Sequence, residues 1–561
     1  MKLKENKILF IILLIAFFLR LGGIFHGYPL MVFSDEGATL LASLKMIGTF
    51  SLRAGNALGY YYPALLSYVF LPFLSFFIGI CRWLGVFTDI QQIKETVLLN
   101  IGFFAPLIRL VSVLFGTATV YLVYRITKAL FNKSIVSLLA AWFLAVSFYH
   151  SGVSHYGNTW TIQTFFYLLV LLWAINFLKK STISFRDYIY GALLVGLSFG
   201  INFVGIITYT WFLIVHFLKN RNKNLINTFL INKNFWLANF ILLAFIAIIY
   251  WLNPAGLNNY FNRITVSVPR DDYASYQLFH DSTLSGLFFY LKNVFFVEPF
   301  LCVFFLVGSW MLWKKEKTAF LLVSVGALLY LALLSPQTGL LIRYALPLDP
   351  LLAIVSAYFL YELFSVYSKK LGIILLVVAS LYVLMFGVLF NLRLMKIDTR
   401  VLARNWILSD LPSGSSIKNY DLADEINLIE DKASINLIQN YLPGLLSTRR
   451  KYLFALEEYQ YPKPNFFVLN YELPAGILPK TDYIILSDIE KKDLDSKAGT
   501  ILDEYSLIKR FYPVETPING VWPGYYELGA PFNHSMFKPL MLFRLYGMGP
   551  YVEIYKIKSS E

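Results

Sequence analysis

The chain has 561 residues, of which 57% are hydrophobic, 18% aromatic and only 15% charged, with a formal net charge of +14 and a mean hydropathy of +0.60. Soluble domains carry about a quarter charged residues, so this composition excludes an ordinary soluble enzyme and places much of the surface against lipid. The basic excess falls in short runs between apolar segments, as cytoplasmic loops do under the positive-inside rule, and it argues against a nucleic-acid partner.

Met1 to Lys7 is basic and precedes an apolar run from Ile8 to Phe25 that Arg20 interrupts. No small-residue cleavage site follows cleanly, so this run is expected to be an uncleaved first transmembrane helix. Further spans are expected at 103–127, 134–152, 160–178, 187–201, 203–218, 234–252, 297–313, 318–334, 347–366 and 371–391, about eleven in all. Alternation from a cytoplasmic N-terminus then puts Lys128/Lys133, Lys179/Lys180, Lys219 to Lys223, Lys314 to Lys317 and Lys369/Lys370 inside. The apolar segment Tyr60 to Val86 would reverse that order if it spanned. Its Tyr60-Tyr61-Tyr62-Pro63 run and Pro72 suit an interfacial or re-entrant helix of the outer leaflet.

The expected outer stretches are 26–101, 253–294 and everything beyond Asn391. Residues 1–395 form the membrane domain on this reading, and 396–561 a soluble extracytoplasmic α/β domain of about 160 residues. An amphipathic helix at Thr399 to Ser409 and strands at Tyr483 to Ser487 and Tyr551 to Tyr555 carry that assignment. The absence of an internal repeat disfavours a transporter. Cys81 and Cys302 lie in apolar runs and point to neither a disulfide framework nor a zinc site.

Asp35 and Glu36 follow the first helix by about ten residues, at the outer membrane surface. Residues 34–48 read as a short amphipathic helix with Ser34 as N-cap, Gly48 as its stop, and Leu40, Leu41, Leu44 and Ile47 as an apolar stripe. Acidic residues in a first turn are commonplace complements to the helix dipole. A carboxylate pair at the water–lipid boundary, followed by an aromatic membrane-hugging segment, also suits a site whose donor is a lipid and whose acceptor arrives from outside.

This early Asp35-Glu36, the Gly59-Tyr-Tyr-Tyr-Pro-Ala-Leu-Leu-Ser-Tyr68 segment and the helix Arg109-Leu-Val-Ser-Val-Leu-Phe-Gly-Thr-Ala-Thr-Val120 come in a telling order. With Arg343-Tyr-Ala-Leu-Pro-Leu-Asp-Pro350 and the tail opening Asp398-Thr-Arg-Val-Leu-Ala-Arg-Asn-Trp-Ile407, they resemble the GT-C membrane glycosyltransferases. The likeness is strongest to protein O-mannosyltransferases, the dolichyl-phosphate-mannose-protein type, and to aminoarabinose transferases. It implies a polytopic α-helical GT-C-like fold with a C-terminal α/β domain and a polyprenyl-phosphate sugar donor. It also implies a hexosyl or pentosyl transfer to a protein, lipid or glycan acceptor at the outer face of a plasma membrane. Two departures stand out: Asn158 occupies about the place of a second acidic residue in many relatives, and Tyr62 stands where some have lysine.

Transfer from a lipid phosphate needs a base for the acceptor hydroxyl, and Asp35 is the candidate, with Glu36 as its supporting neighbour. The departing phosphate needs cationic or directed donors. Arg343 with Tyr344 comes first, then Arg270 and Arg263. Arg343 is otherwise a snorkelling arginine at a helix end, and Arg263 and Arg270 solvating loop charges. Tyr62, His155 and Asn158 are candidates for the substrate groove, against their ordinary roles as interfacial tyrosine and helix-end polar groups. His150 and His155 lack a third metal ligand, and no cofactor is named by the sequence, which leaves a divalent metal open. The alternatives are a polytopic transporter or receptor and a non-GT-C lipid-linked glycan polymerase or ligase.

Overall fold

The computed structural model describes residues 2–33, 36–53, 65–221, 232–253, 283–336, 342–421, 426–445, 447–469, 480–488, 491–515 and 539–558. Long apolar runs become helices because a helix satisfies its own backbone where water is absent. In chain order these are α1 (Lys2–Leu21), α2 (Glu36–Thr49), α3 (Leu65–Trp83), α4 (Ile90–Leu99), α5 (Ala105–Phe131) and α6 (Ser134–Val146). They continue with α7 (Phe148–Val153), α8 (Thr159–Lys179), α9 (Phe185–Ile201), α10 (Tyr209–Asn220) and α11 (Lys233–Leu252). Next come α12 (Thr283–Val297), α13 (Pro299–Lys315), α14 (Lys317–Leu334), α15 (Leu348–Tyr367) and α16 (Lys369–Leu394).

Among the described residues eight helices are long and apolar enough to cross a membrane, or nine if α12 and α13, bent by 112° at Glu298, form one broken span. Leu65–Trp83 is one of the eight and carries Pro72 within it. The expected span at 134–152 is two helices, because Ser147 leaves the helical conformation and caps α7 with its hydroxyl. The carbonyls freed at the end of α6 are taken by Arg20, whose guanidinium donates to Leu144 O and Ala145 O, each at 2.9 Å. That explains a fully buried arginine near the end of the first helix: it caps the negative end of a neighbouring one.

Local polar residues set the other boundaries. Asn158 caps α8, Ser184 and Asp187 close a capping box on α9, and Asn232 and Ser368 cap α11 and α16. The bundle is built around α5, which packs on α1, α6 and α8, while α15 packs on α6 and α13. A π-helical stretch at Phe320–Val325 within α14 presents the Leu322 carbonyl to the buried Trp211 indole, at 3.1 Å.

Beyond Leu394 the chain turns and opens α17 (Thr399–Asp410), capped by Asp398. The tail contains β1 (Ser416–Asp421), α18 (Lys432–Tyr441), α19 (Thr448–Ala455), β2 (Phe467–Leu469), β3 (Tyr483–Asp488), α20 (Lys491–Gly499), β4 (Tyr505–Phe511) and β5 (Tyr551–Ile557). Its sheet has the order β2-β1-β3-β5-β4. β1 runs parallel to β2 and β3, and β5 antiparallel to β3 and β4. β3 is apolar without alternation because helices and loops cover both its faces.

Candidate functional site

Glu36 opens α2 with its side chain buried. Its carboxylate receives both edges of one guanidinium: Arg109 Nε donates to Oε1 at 2.9 Å and Nη2 to Oε2 at 2.8 Å. The Gly157 N–H donates to Oε1 at 2.8 Å. A Cβ at 157 would stand 2.5 Å from Ile108 Cδ1 and Cγ1, so a larger residue there would require Ile108 to shift. The remaining arginine nitrogen, Nη1, donates to Ile24 O at 3.0 Å and His26 O at 2.6 Å. Arg109 therefore ties together the end of the first helix, the first loop and the acid on α2. Fork-to-fork geometry of this kind is strong and directional, and it fixes orientation as well as charge.

The walls are aromatic and cationic. Phe33 lies beneath the Arg109 guanidinium, 4.8 Å from it, and meets Tyr156 edge-on at 4.1 Å between ring centres. Burial pushes the Tyr156 phenol up; the Glu36 charge adds to this, while Arg109 and Arg343 oppose it. Tyr156 thus feels all three charges, and it remains a neutral hydroxyl.

Arg343 lies in a tight turn, Ile342–Ala345, and is almost wholly buried rather than snorkelling. The turn is clamped by hydroxyls: Tyr149 donates to Ile342 O, and Tyr330 to Tyr344 O at 2.6 Å. Tyr344 itself packs on Trp160 with ring centres 4.5 Å apart.

The remaining sequence candidates divide into two groups. Asn158 and His155 are among the described residues: Asn158 accepts from the Trp160 N–H, and His155 Nε2 lies 3.0 Å from Asn391 Oδ1 on the last long helix. Asp35, Tyr62, Arg263 and Arg270, and the expected N-cap Ser34, lie outside the described residues. On α2 the apolar stripe is narrower than expected. Leu40 and Leu44 are buried and Ile47 packs against their cluster, but Leu41 is exposed.

Sequence reasoning gave no role to Arg109 or Gly157, nor to the buried acids Glu298 and Asp349. The signal was present for three of them, since an ionisable group inside an apolar run is expensive and needs a partner. Ser147 Oγ lies 2.8 Å from Glu298 Oε1 and 2.6 Å from Asp349 Oδ2. The serine has one proton to give, so both contacts are hydrogen bonds only if one of the acids keeps its own. Among the described residues no group of three His, Cys, Asp or Glu side chains is arranged to hold a metal ion.

No protein-family profile matches the chain, and no curated protein matches it by sequence. Solved structures do. ArnT from Cupriavidus metallidurans, in its crystal structure bound to undecaprenyl phosphate, is similar with a TM-score of 0.51 at 14% identity, over 90% of this chain and 96% of that one. The oligosaccharyltransferase AglB from Archaeoglobus fulgidus, in complex with an inhibitory peptide and a dolichol-phosphate, gives a TM-score of 0.46 at 11% identity, over 93% of this chain and 74% of that one. The chain has the fold of the GT-C glycosyltransferases, a polytopic helical bundle followed by a C-terminal domain containing a small sheet.

Proposed function

We propose that the protein is a glycosyltransferase that moves a sugar from a polyprenyl-phosphate donor to an acceptor hydroxyl at the outer face of a plasma membrane. The observation that carries this reading is the buried Glu36–Arg109–Gly157 arrangement, which fixes the backbone immediately after Asp35. A base is useful only if it is held within hydrogen-bond reach of the proton it takes, and an anchored neighbour supplies that constraint. The resemblance to a GT-C structure bound to undecaprenyl phosphate supports a lipid-phosphate donor.

In the proposed step the acceptor oxygen attacks the anomeric carbon, and the bond from that carbon to the phosphate oxygen breaks. The hydroxyl proton goes to Asp35, and the polyprenyl phosphate leaves on the opposite side, with inversion. Arg343 and Tyr344 hold the charge developing on the phosphate, and Arg263 and Arg270 are assigned to the same role. Glu36 contributes no proton on this reading, because Arg109 and Gly157 occupy its oxygens. The tail shapes the acceptor side.

Buried ionisable groups such as Glu298 and Asp349 are also what a transporter uses, so transport is the second reading. One assay separates the two. The full chain, purified in detergent, is given a panel of labelled polyprenyl-phosphate sugars, and wild type is compared with Asp35→Asn. Sugar release that falls about a hundredfold or more, with donor binding and thermal midpoint retained, is the expected result. Unchanged release would return Asp35 to an ordinary helix-start acid, and a wild type that turns over no donor would favour transport.

A further inference from the structure

The first loop is held from a second side by the tail. Asp398 is fully buried and collects four contacts: the Arg400 N–H at 2.9 Å, Arg400 Nε at 2.9 Å, Arg400 Nη2 at 2.8 Å and His26 Nε2 at 3.2 Å. The His26 contact is an ion-pair distance rather than an aligned hydrogen bond. The other ring nitrogen of His26 lies 3.0 Å from Leu394 O. Both ring nitrogens therefore face oxygen atoms, one of Asp398 and one of the end of α16. Arg400 extends further, with Nη1 donating to Val32 O at 3.2 Å. Two groups of the tail, one anionic and one cationic, grip the two ends of residues 26–32.

The same segment is also gripped by Arg109, which binds the carbonyls of Ile24 and His26 while holding Glu36. The same short stretch of tail is also fastened to the far end of its own sheet. Thr399 N donates to Met548 O at 3.0 Å and Thr399 Oγ1 to Pro550 O at 2.7 Å. Gly549 between them has φ +114, and an added Cβ would meet Thr399 Oγ1 at 2.1 Å. A continuous line of contacts thus runs from the entry to β5, through 398–400 and the first loop, to the acid that opens α2.

We propose that Asp398 and Arg400, acting through His26 and Val32, are positioning residues for the carboxylate site: the tail sets where residues 24–33 stand, and so how Glu36, which shares Arg109 with them, is held. A node of buried charges suits the task because charge pairs desolvated on every side have one satisfied geometry, whereas an apolar contact tolerates sliding. The proposal rests on the glycosyltransferase reading for its kinetic consequence only. Its mechanical claim stands apart from activity.

The test uses the full chain in detergent, with Asp398→Asn, which keeps shape and removes charge, and Arg400→Lys, which keeps charge and loses the fork. Hydrogen exchange is followed on peptides covering 24–33, whose amides are bonded in successive turns to Leu21, Gly23, Phe25 and Gly27 carbonyls. Exchange there is expected to rise at least tenfold in Asp398→Asn and less in Arg400→Lys, with α5, β3 and β5 unchanged. In the same samples kcat for labelled donor should fall at least tenfold while its KM moves less than twofold. The proposal is overturned if 24–33 exchanges as in the wild type. It is overturned equally if protection is lost throughout the tail sheet together with activity, which is the pattern of a merely structural contact. A wild type that turns over no donor, with variants that show the expected exchange pattern, would refute the enzymatic reading and leave the positioning line standing.

Discussion

Glu36 and Arg109 form a pair whose worth depends on both members being present. Each is desolvated, and the short contacts to Gly157, Ile24 and His26 satisfy what the pair leaves over. Removing one partner strands the other, which typically costs about 3–5 kcal/mol, whereas replacing both with apolar groups of similar volume is often neutral. Glu36→Gln is therefore expected to lower the thermal unfolding midpoint clearly, and Glu36→Leu combined with Arg109→Met to restore most of it without restoring sugar release. Equal midpoints for the single and double variants would remove the pair's structural role. Glu36 was legible in the sequence as an acid just past the first helix, but its partner was not. Arg109 lies 73 residues further on, and no local spacing relates the two. Gly157 was invisible for a different reason: its importance is a close approach to Ile108, which only a folded chain defines.

At the scale of elements, the tail meets the membrane domain at a second place, where α19 reaches α4. Tyr452 donates to Glu95 Oε1 at 2.8 Å. Burial, and then this hydrogen bond, raise the Tyr452 phenol to about 12. The folded value lies above the ordinary one of about 10, so the neutral phenol's contribution to stability is fully present below pH 10 and is lost as pH rises through about 12. A tyrosinate absorbance titration, taken as wild type minus Tyr452→Phe, should place this ionisation near 12, and Glu95→Gln should bring it down. An unmoved midpoint in Glu95→Gln would deny the contact. Helices were legible from the length of their apolar runs, because that signal is local. The break at Ser147 was not. It depends on Arg20, more than a hundred residues earlier, taking the carbonyls that continuing the helix would have used.

For the whole molecule, the polytopic helical character and the change near Asp398 could be read from composition, whereas the GT-C type came only from the family resemblance. Orientation is a separate matter and rests on lysine placement. With Cys81 and Cys302 replaced, a cysteine at exposed Tyr459 should react with a membrane-impermeant maleimide in intact cells, and one at Lys133 only after permeabilisation. Trp83, exposed at the end of α3, decides the ambiguous segment. If α3 lies in the outer leaflet, a cysteine there reacts from outside; labelling only after permeabilisation would mean that the helix crosses and that the lysine clusters need a new assignment.

The two grips on the first loop belong to different moments of the chain's synthesis. The partners of Glu36 are made soon after it, but Arg400 is joined to Val32 across 368 residues, and the Thr399 hydroxyl to Pro550 across a further 151. A nascent chain threading into the bilayer can close the inner grip long before the outer one exists. Until the tail has folded, the loop is held by Arg109 alone, so a half-made chain would carry Glu36 already paired with arginine while His26 and Val32 still lack their second hold.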